Sequence, residues 1–410
     1  MIHSSYYRPR VYPYHSLTDP IEIDRLQELS GTTTLNREKI NEIGRDGTVG
    51  WKESIPEVSL TLRQLEYGTL DFWNMLTNNA EGTLTIAQTD FNTAMVDIAA
   101  FRTDDSATVL GTVWYPKLRT SGWGINIGDP DALIERNFTL VGEDDMQFTD
   151  DNRYVVYLED SDAAGAGHQL VIGSGGYANW PTPVALPDDS GAKYFLRCLK
   201  VASGGTTATE LVEGTDYTYD GSGLVAFPSS VAGDTYRLYY TATTYVTGLS
   251  MWNNNTDDSK GLSADTCSIY LVDTSNYAYR LQSASIDVSF DRQDIKELGR
   301  STVVSTGVRE RTVRITLGRL LEANTIENLL RGADSTTFGQ YSVRKYIDSL
   351  TFLVKFYSDS DKGTFLYGMK FTNLSPVSQD AGVPTKDYVS KGTVLEGEEF
   401  QISSTEATIA

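Results

Sequence analysis

The clearest hydrophobic pattern in the chain is strict alternation at Val58-Ser59-Leu60-Thr61-Leu62, and it returns at Val313-Arg314-Ile315-Thr316-Leu317. A period of two gives a strand one apolar and one polar face, so both segments predict strands half buried on a sheet. Their surroundings repeat as well. Arg25-Leu26-Gln27 and Asn36-Arg37-Glu38-Lys39-Ile40-Asn41-Glu42-Ile43-Gly44-Arg45 return 255 positions later as Arg280-Leu281-Gln282 and Asp291-Arg292-Gln293-Asp294-Ile295-Lys296-Glu297-Leu298-Gly299-Arg300. Gly142-Glu143 meets Gly397-Glu398 at the same offset. A period this long predicts two copies of a domain, not a solenoid.

In the first copy the pattern predicts strands near 21–23, 31–35, 58–62, 95–102, 107–115 and 137–141. A connection rich in Gly, Asp and Pro separates the last two. The polar stretch Gly44 to Trp51 reads as a long loop. One short helix is expected around 70–77, where Leu70, Trp73 and Leu76 share a buried stripe. In the second copy strands are expected near 267–272, 277–290, 313–317, 350–357, 364–372 and 400. Its helix is placed at 323–330, with Ile326, Leu329 and Leu330 on the apolar face. Residues 149–245 have no counterpart. Short strands are expected there at 154–158, 169–172, 194–201, 224–227 and 235–243, between turn clusters such as Gly173-Ser174-Gly175-Gly176. The expected fold class is mainly β: two tandem β-sandwich domains, each with a short α-helix (21–148 and 246–402), and a small all-β sandwich inserted at 149–245. Residues 1–20, rich in Tyr, Pro and Arg, read as an extended arm, and 403–410 as a frayed tail.

A length of 410 residues allows several cores. No apolar run reaches the roughly 18 residues of a membrane span, and the N-terminus lacks the apolar region of a secretory signal. The net charge of −21 disfavours a grip on nucleic acid. It suits either ordinary solubility or a surface that passes a polyanion without holding it. Cys198 and Cys267 fall in different segments and are expected to be buried free thiols.

Catalytic signatures are missing. His3, His15 and His168 are too scattered for a metal cluster or an acyl-transfer triad, and His168 reads as an exposed loop residue. Gly173-Ser174-Gly175-Gly176 lacks the Gly-Lys-Ser/Thr that completes a phosphate loop. Asn253 to Asp258 lacks the glycine and the terminal acid of a calcium loop. Glu159-Asp160-Ser161-Asp162 offers oxygens to a cation, but nothing in the sequence fixes their geometry. No enzyme activity, metal or cofactor is expected. The most basic run, Arg309 to Arg314, alternates Arg309, Arg311 and Val313 against Glu310, Thr312 and Arg314. It suits a charged strand edge or a surface that pairs with an acidic neighbour.

The frame of strand, long polar loop, alternating strand, short helix and further strands resembles the tail tube proteins of tailed viruses. Leu281-Gln282-Ser283, Phe290 to Gly299, Arg311 to Leu317 and Asn324 to Leu330 carry the resemblance, with a weaker frame in register at Arg25 to Leu62. The resemblance implies β-sandwich domains arranged in rings whose inner sheets join into one barrel. Rings stack into a tube, and the long loops reach an adjoining ring. By position those inter-ring residues are Arg45, Asp46, Trp51, Lys52 and Glu53 in the first copy and Arg300, Arg309, Glu310 and Arg311 in the second. A two-domain subunit reaches a pseudo-six-fold ring as a trimer. Closure removes exposed strand edges, and acidic side chains in the lumen would repel DNA phosphates during genome ejection. The insert would sit outside. The implied partners are further copies of the chain, viral DNA passing without specific binding, and tape-measure, terminator and baseplate proteins, with no membrane. The implied place is the virion tail, assembled in the host cytoplasm. The alternative is an extracellular or virion-surface β-rich binding or adhesion module, which Tyr-rich strands and Asp-rich loops also suit.

Overall fold

A computed structural model describes residues 6–14, 19–34, 37–41, 48–53, 56–79, 82–104, 106, 108–128, 132–142, 146–148, 153–162, 165, 167–186, 193–252, 261–271, 281–295, 305–320, 349–379, 383–384 and 389–409. The fold is mainly β. Before the insert the strands are β1 (Tyr6–Pro13), β2 (Ile21–Glu22), β3 (Leu26–Thr34), β4 (Arg37–Asn41), β5 (Thr48–Glu53), β6 (Glu57–Leu65), β7 (Thr85–Ala87), β8 (Val96–Thr103), β9 (Val109–Ile127), β10 (Glu135–Gly142) and β11 (Met146–Phe148). Helix α1 (Asp71–Leu76) follows β6. The insert holds β12 (Tyr154–Ser161), β13 (His168–Val171), β14 (Phe195–Val201), β15 (Ala208–Glu210), β16 (Thr218–Tyr219), β17 (Leu224–Phe227) and β18 (Thr235–Ala242). The last third holds β19 (Cys267–Leu271), β20 (Leu281–Ile295), β21 (Ser305–Leu320), β22 (Leu350–Tyr357), β23 (Phe365–Gln379), β24 (Val383–Pro384), β25 (Val389–Gly397), β26 (Glu399–Ser403) and helix α2 (Glu406–Ile409).

By packing the chain forms two units, each built from three segments rather than from consecutive sequence. The first unit takes Met1–Ile23, Ala94–Leu118 and Asp144–Asp258. Its sheets are β2-β1-β8-β9-β11, β12-β18-β14-β15 and β13-β17-β16. The insert shares a core with the first of them: Tyr12, Phe101 and Trp114 cluster with Val155, Leu199 and Tyr239. Within the expected N-terminal arm, the described strand at 6–13 is therefore core structure. β1 pairs along β8, Val11 and Tyr12 are fully buried, and Pro9 accepts the Ile23 N–H through its carbonyl at 2.9 Å.

The second unit takes Asp24–Thr93, Arg119–Glu143 and Ser259–Ala410. One antiparallel sheet runs β3-β6-β10-β9-β20-β21-β25-β23, using residues 119–127 of β9 and 375–379 of β23. A second runs β19-β22-β23-β26-β7. Side chains at Val58, Leu60, Leu62, Ile286, Val288, Val313 and Ile315 are buried, so one face of the long sheet is apolar, as alternation demands. Helix α1 packs its apolar stripe beneath it. The Trp73 ring meets Trp123 at 5.0 Å and Phe138 at 4.9 Å between centroids, edge to face. Phe91, Phe290 and Phe400 extend the cluster, and Leu70 and Leu76 are buried with it. The second expected helix, with Ile326, Leu329 and Leu330, lies outside the described residues.

The strand ladders repeat in register. In β3–β6, Leu29 faces Leu62 and Thr34 faces Glu57; in β20–β21, Ala284 faces Leu317 and Ser289 faces Thr312, each 255 positions on. A bulge between Leu26 and Glu28 returns between Leu281 and Ser283. Every β6–β10 pair, from Val58–Gly142 to Leu65–Glu135, maps onto a β21–β25 pair at that offset. β9 maps onto β23 at an offset of 256, and the bulge opposite Thr139/Leu140 reappears at Pro376/Ser378. Lys117 and Asn373, which share that offset, both have φ of 54°. Lys117 stands just before the end of the first unit's segment at Leu118, and the buried Asp97 carboxylate accepts its N–H at 2.7 Å. Such a conformation is uncommon outside glycine, and it recurs at the two matching positions.

Three further expectations change. β9 runs unbroken through Pro116 to Ile127, where a connection was expected. Residues expected as long loops are partly strand: β5 pairs with β4 as a hairpin, and β21 begins at Ser305. The tail is not frayed, since α2 buries Ile409 and Glu406 pairs with Lys355 at 3.0 Å.

Candidate functional site

The long sheet of the second unit turns one polar face away from its core. Alternation places Glu28, Glu57, Glu135, Asp287, Asp291, Glu310 and Glu396 on it, with Arg63, Arg119 and Arg314. Arg63 lies 3.5 Å from both Glu28 and Glu135, and Arg314 lies 3.1 Å from Glu396. Carboxylates outnumber guanidinium groups, so the face carries net negative charge. Between them stand Ser59, Thr61, Thr139, Ser285, Ser289, Thr312 and Thr316, short side chains that leave the surface even. No deep cleft or convergent acid/base pair is formed by these residues. What the face offers chemically is a broad, shallow, anionic surface.

The middle of that face is the junction of β9 with β20, where the earlier ladder meets the later one. Gly122 faces Ser289 and Gly124 faces Asp287. A Cβ at Gly124 would fall 2.5 Å from Asn137 Oδ1, 2.9 Å from Asp287 Oδ1 and 3.1 Å from the Ile286 carbonyl, so a larger residue there would make those side chains move. Arg292 secures the junction. Its Nε donates to the Thr120 carbonyl at 2.7 Å, Nη2 to Phe91 at 2.7 Å and Nη1 to Asn92 at 3.1 Å. Burial, reinforced by Arg119, lowers its pKa to about 10. The guanidinium remains charged at neutral pH and serves as a clamp on main-chain carbonyls.

Below the sheet, Arg136 is wholly buried. Its Nε donates to Gln64 Oε1 at 2.9 Å and its Nη1 to Glu66 Oε2 at 3.1 Å. Glu66 also accepts the Tyr67 and Gly68 N–H groups and the Tyr367 hydroxyl at 2.7 Å. Burial disfavours the guanidinium charge, yet Glu66, Tyr67 and Tyr367 together more than offset it and hold the Arg136 pKa above its ordinary value. This network fixes β6, β10 and β23 and presents nothing to solvent.

The first unit has a comparable lock. Arg197 donates to Asp97 at 2.5 and 2.7 Å and to Glu210 at 3.1 Å, and Lys117 reaches Glu210 at 3.0 Å. His168 is not an exposed loop residue. It opens β13, hydrogen-bonds Asp160, lies 3.5 Å from Asp162 and stacks on Tyr236. Asp160 also accepts the Tyr177 hydroxyl, and Glu159 accepts Arg237, so the acidic run at 159–162 is spent on internal partners. Cys198 and Cys267 are free and buried. Among the described residues, no cluster of His, Cys, Asp and Glu fits a metal ion, and no helix is long and apolar enough to cross a membrane.

Among the expected inter-ring residues, Arg45, Asp46 and Arg300 lie outside the described residues. Trp51, Lys52 and Glu53 belong to β5 and pair with β4. Arg309, Glu310 and Arg311 belong to β21 rather than to a loop; Glu310 faces Asp291 and Arg311 faces Phe290. Arg309 approaches Asp291 only to 4.0 Å, with both side chains exposed, a pair that contributes little. The sequence singled out neither Arg292 as a clamp nor Gly124 opposite Asp287. The available signal was the repetition of Arg37 at Arg292.

A scan against protein-family models and a search of curated proteins return no match. Among solved structures, the chain is similar to a chain of the anti-feeding prophage baseplate in its six-fold-symmetrised cryo-EM structure. The identity is 15%, the TM-score 0.25, and the match covers 35% of this chain and 93% of that one.

Proposed function

We propose that this chain is the major tail tube subunit of a tailed virus, a structural protein whose copies close into rings and stack into a hollow conduit for genome ejection. The carrying observation is the long sheet in which two ladders of matching register stand side by side, core on one face and acid on the other. On this reading the two ladders are two copies of one domain, and the sheet is an arc of a cylindrical wall. The apolar face is covered by α1 and the second sheet, which leaves the acidic face for the bore. Duplex DNA is repelled from that face, so it slides without binding. With two domains per chain, three chains complete a pseudo-six-fold ring. The β4–β5 hairpin and the matching end of β20–β21 extend beyond the ladders and serve as contacts between rings. Partners are then further copies of the chain and other tail components, in a virion tail. No catalytic step is assigned.

Negative-stain microscopy of the purified chain tests this. Hollow rings or tubes with a bore wide enough for duplex DNA support it, and monodisperse monomers at high concentration contradict it. The β4–β5 hairpin gives a second handle. Shortening it to a two-residue turn between Glu38 and Lys52 is expected to leave single rings that no longer stack. Long tubes from that variant would remove the hairpin from the stacking contact.

A further inference from the structure

The four-stranded sheet of the insert runs β12-β18-β14-β15, so β12 and β15 stand at its ends. β15 has three residues, and the ends of the second sheet, β13 and β16, have four and two. β12 has eight, and among the described residues it pairs with β18 alone. Its first five residues, Tyr-Val-Val-Tyr-Leu, are aromatic or aliphatic, with no charge, proline or glycine. A long edge of that composition pairs readily with another strand. Val156 and Leu158 are buried in one core cluster and Val155 in another, so both faces of β12 are taken and its edge is what remains.

Side chains seal that edge. Asp162 continues the ladder by donating to the Asp234 carbonyl at 2.8 Å, so even-numbered residues bond to β18 and odd-numbered ones point outward. The outward carbonyls of Val155 and Tyr157 accept the Tyr12 hydroxyl at 3.3 Å and the Trp180 indole N–H at 3.1 Å. A docking strand needs both as acceptors. The turn cluster Gly173-Ser174-Gly175-Gly176 sets Trp180 in place. Gly173 and Trp180 donate their N–H groups to the Tyr177 carbonyl at 3.1 and 3.0 Å, and the Tyr177 ring meets Trp180 edge to face. The Tyr177 hydroxyl bonds Asp160 of β12 itself. Gly173 and Gly175, with φ of 83° and 57°, supply the left-handed positions of this loop. We propose that Trp180 and Tyr12 guard the edge of β12 against β12 of a second copy of the chain. The edge is self-complementary. Antiparallel pairing of two β12 strands about Tyr157 sets Val155 opposite Glu159 and Tyr154 opposite Asp160, so no acid faces an acid. Neither guard depends on how copies assemble into a tube.

Sedimentation velocity of the full chain and its variants at matched concentrations tests the guard, with thermal melting of each variant as the check on folding. Trp180→Ala is expected to convert the native species into one of twice its mass. Trp180→Phe keeps a ring against Tyr177 but has no N–H to donate, and is expected to pair more weakly than the alanine variant and more strongly than the native chain. Tyr12→Phe keeps its ring in the core. Added to Trp180→Ala, it is expected to lower the concentration for half pairing about tenfold, because each copy frees one more acceptor. Ser161→Pro removes an outward N–H at the exposed end of β12 and is expected to weaken the pairing of Trp180→Ala about tenfold. Trp180 variants that melt as cooperatively as the native chain and sediment with it overturn the guard. Doubling that Ser161→Pro leaves unchanged overturns the pairing through β12. If Trp180→Ala does not fold, Trp180→Phe with Tyr12→Phe frees both carbonyls with the rings in place and decides by the same readout: doubling supports the guard, and the native mass overturns it.

Discussion

Replacing Arg292 with alanine separates a clamp from an incidental contact. The guanidinium donates to three main-chain carbonyls, two of them at 2.7 Å, and ties β20 to β9 and to the turn at Phe91–Asn92. Hydrogen bonds from a charged donor contribute about 1.5–3 kcal/mol each. The full sum is not expected, because burial already disfavours the charge, as its pKa of about 10 records, and water can enter the space that alanine leaves. A net loss of about 3 kcal/mol follows from keeping the two shortest bonds and discounting them for these effects. For a unit of this size each kcal/mol moves the melting temperature by about 2–4 °C, so Arg292→Ala should melt about 6–12 °C below the native chain. Arg292→Lys should recover little, because an ammonium group cannot fork to carbonyls on two segments. Urea unfolding followed by tryptophan fluorescence is the assay, since Trp73 and Trp123 report the adjoining core. A loss below about 0.5 kcal/mol for Arg292→Ala would refute the clamp.

Other consequences follow from the same geometry. Arg136→Met should destabilise the second unit by about 3–5 kcal/mol by leaving Glu66 buried without its cation, and Arg136→Met with Glu66→Gln should recover much of that in equilibrium unfolding. Trp73→Ala removes the centre of the aromatic cluster and should cost about 3–5 kcal/mol, read as a lower urea midpoint. Burial opposes ionisation of Glu210, but Arg197 and Lys117 overcome it and hold its pKa below the ordinary 4.5. Its stabilisation is therefore complete above that value and fades as pH falls through the lower folded value, so Glu210→Gln should flatten the acid limb of a stability–pH curve. Adding lysines at Ser59, Thr61 and Thr316 on the acidic face should leave folding intact and make assembled particles retain DNA in a salt-dependent manner, measured by co-sedimentation.

Much of the fold was legible where side chains alternate cleanly. The strand expected at 224–227 is β17, those at 154–158 and 235–243 lie on β12 and β18, and the helix around 70–77 contains α1. Period-two burial needs only a local pattern, so tertiary context did not override it. β9 was cut short because Pro116, Gly122 and Gly124 read as strand breakers. Lys117 instead takes the left-handed region within an unbroken strand, and Gly124 packs against the Asn137 and Asp287 side chains. The arm was misread for a related reason. Composition at residues 1–20 resembles a flexible segment, whereas β1 gains its place from long-range pairing with β8, which no local window contains. The insert looked self-contained, yet Arg197 reaches outside it to Asp97, and Leu199 shares a cluster with Phe101. As for the candidate site, the acidic excess was visible in the composition. Its location was not, because Glu28, Glu135, Asp287 and Glu396 come from distant segments that only strand register brings to one face.

The most direct measurement is an electron cryo-microscopy map of the assembled chain, read for which strands form the wall of the bore. The account predicts that β3, β6, β10, β9, β20, β21, β25 and β23 line it consecutively in every copy, with Glu135 and Asp287 facing the lumen. A map in which this sheet faces outward, or in which only one of the two ladders touches the bore, would contradict it.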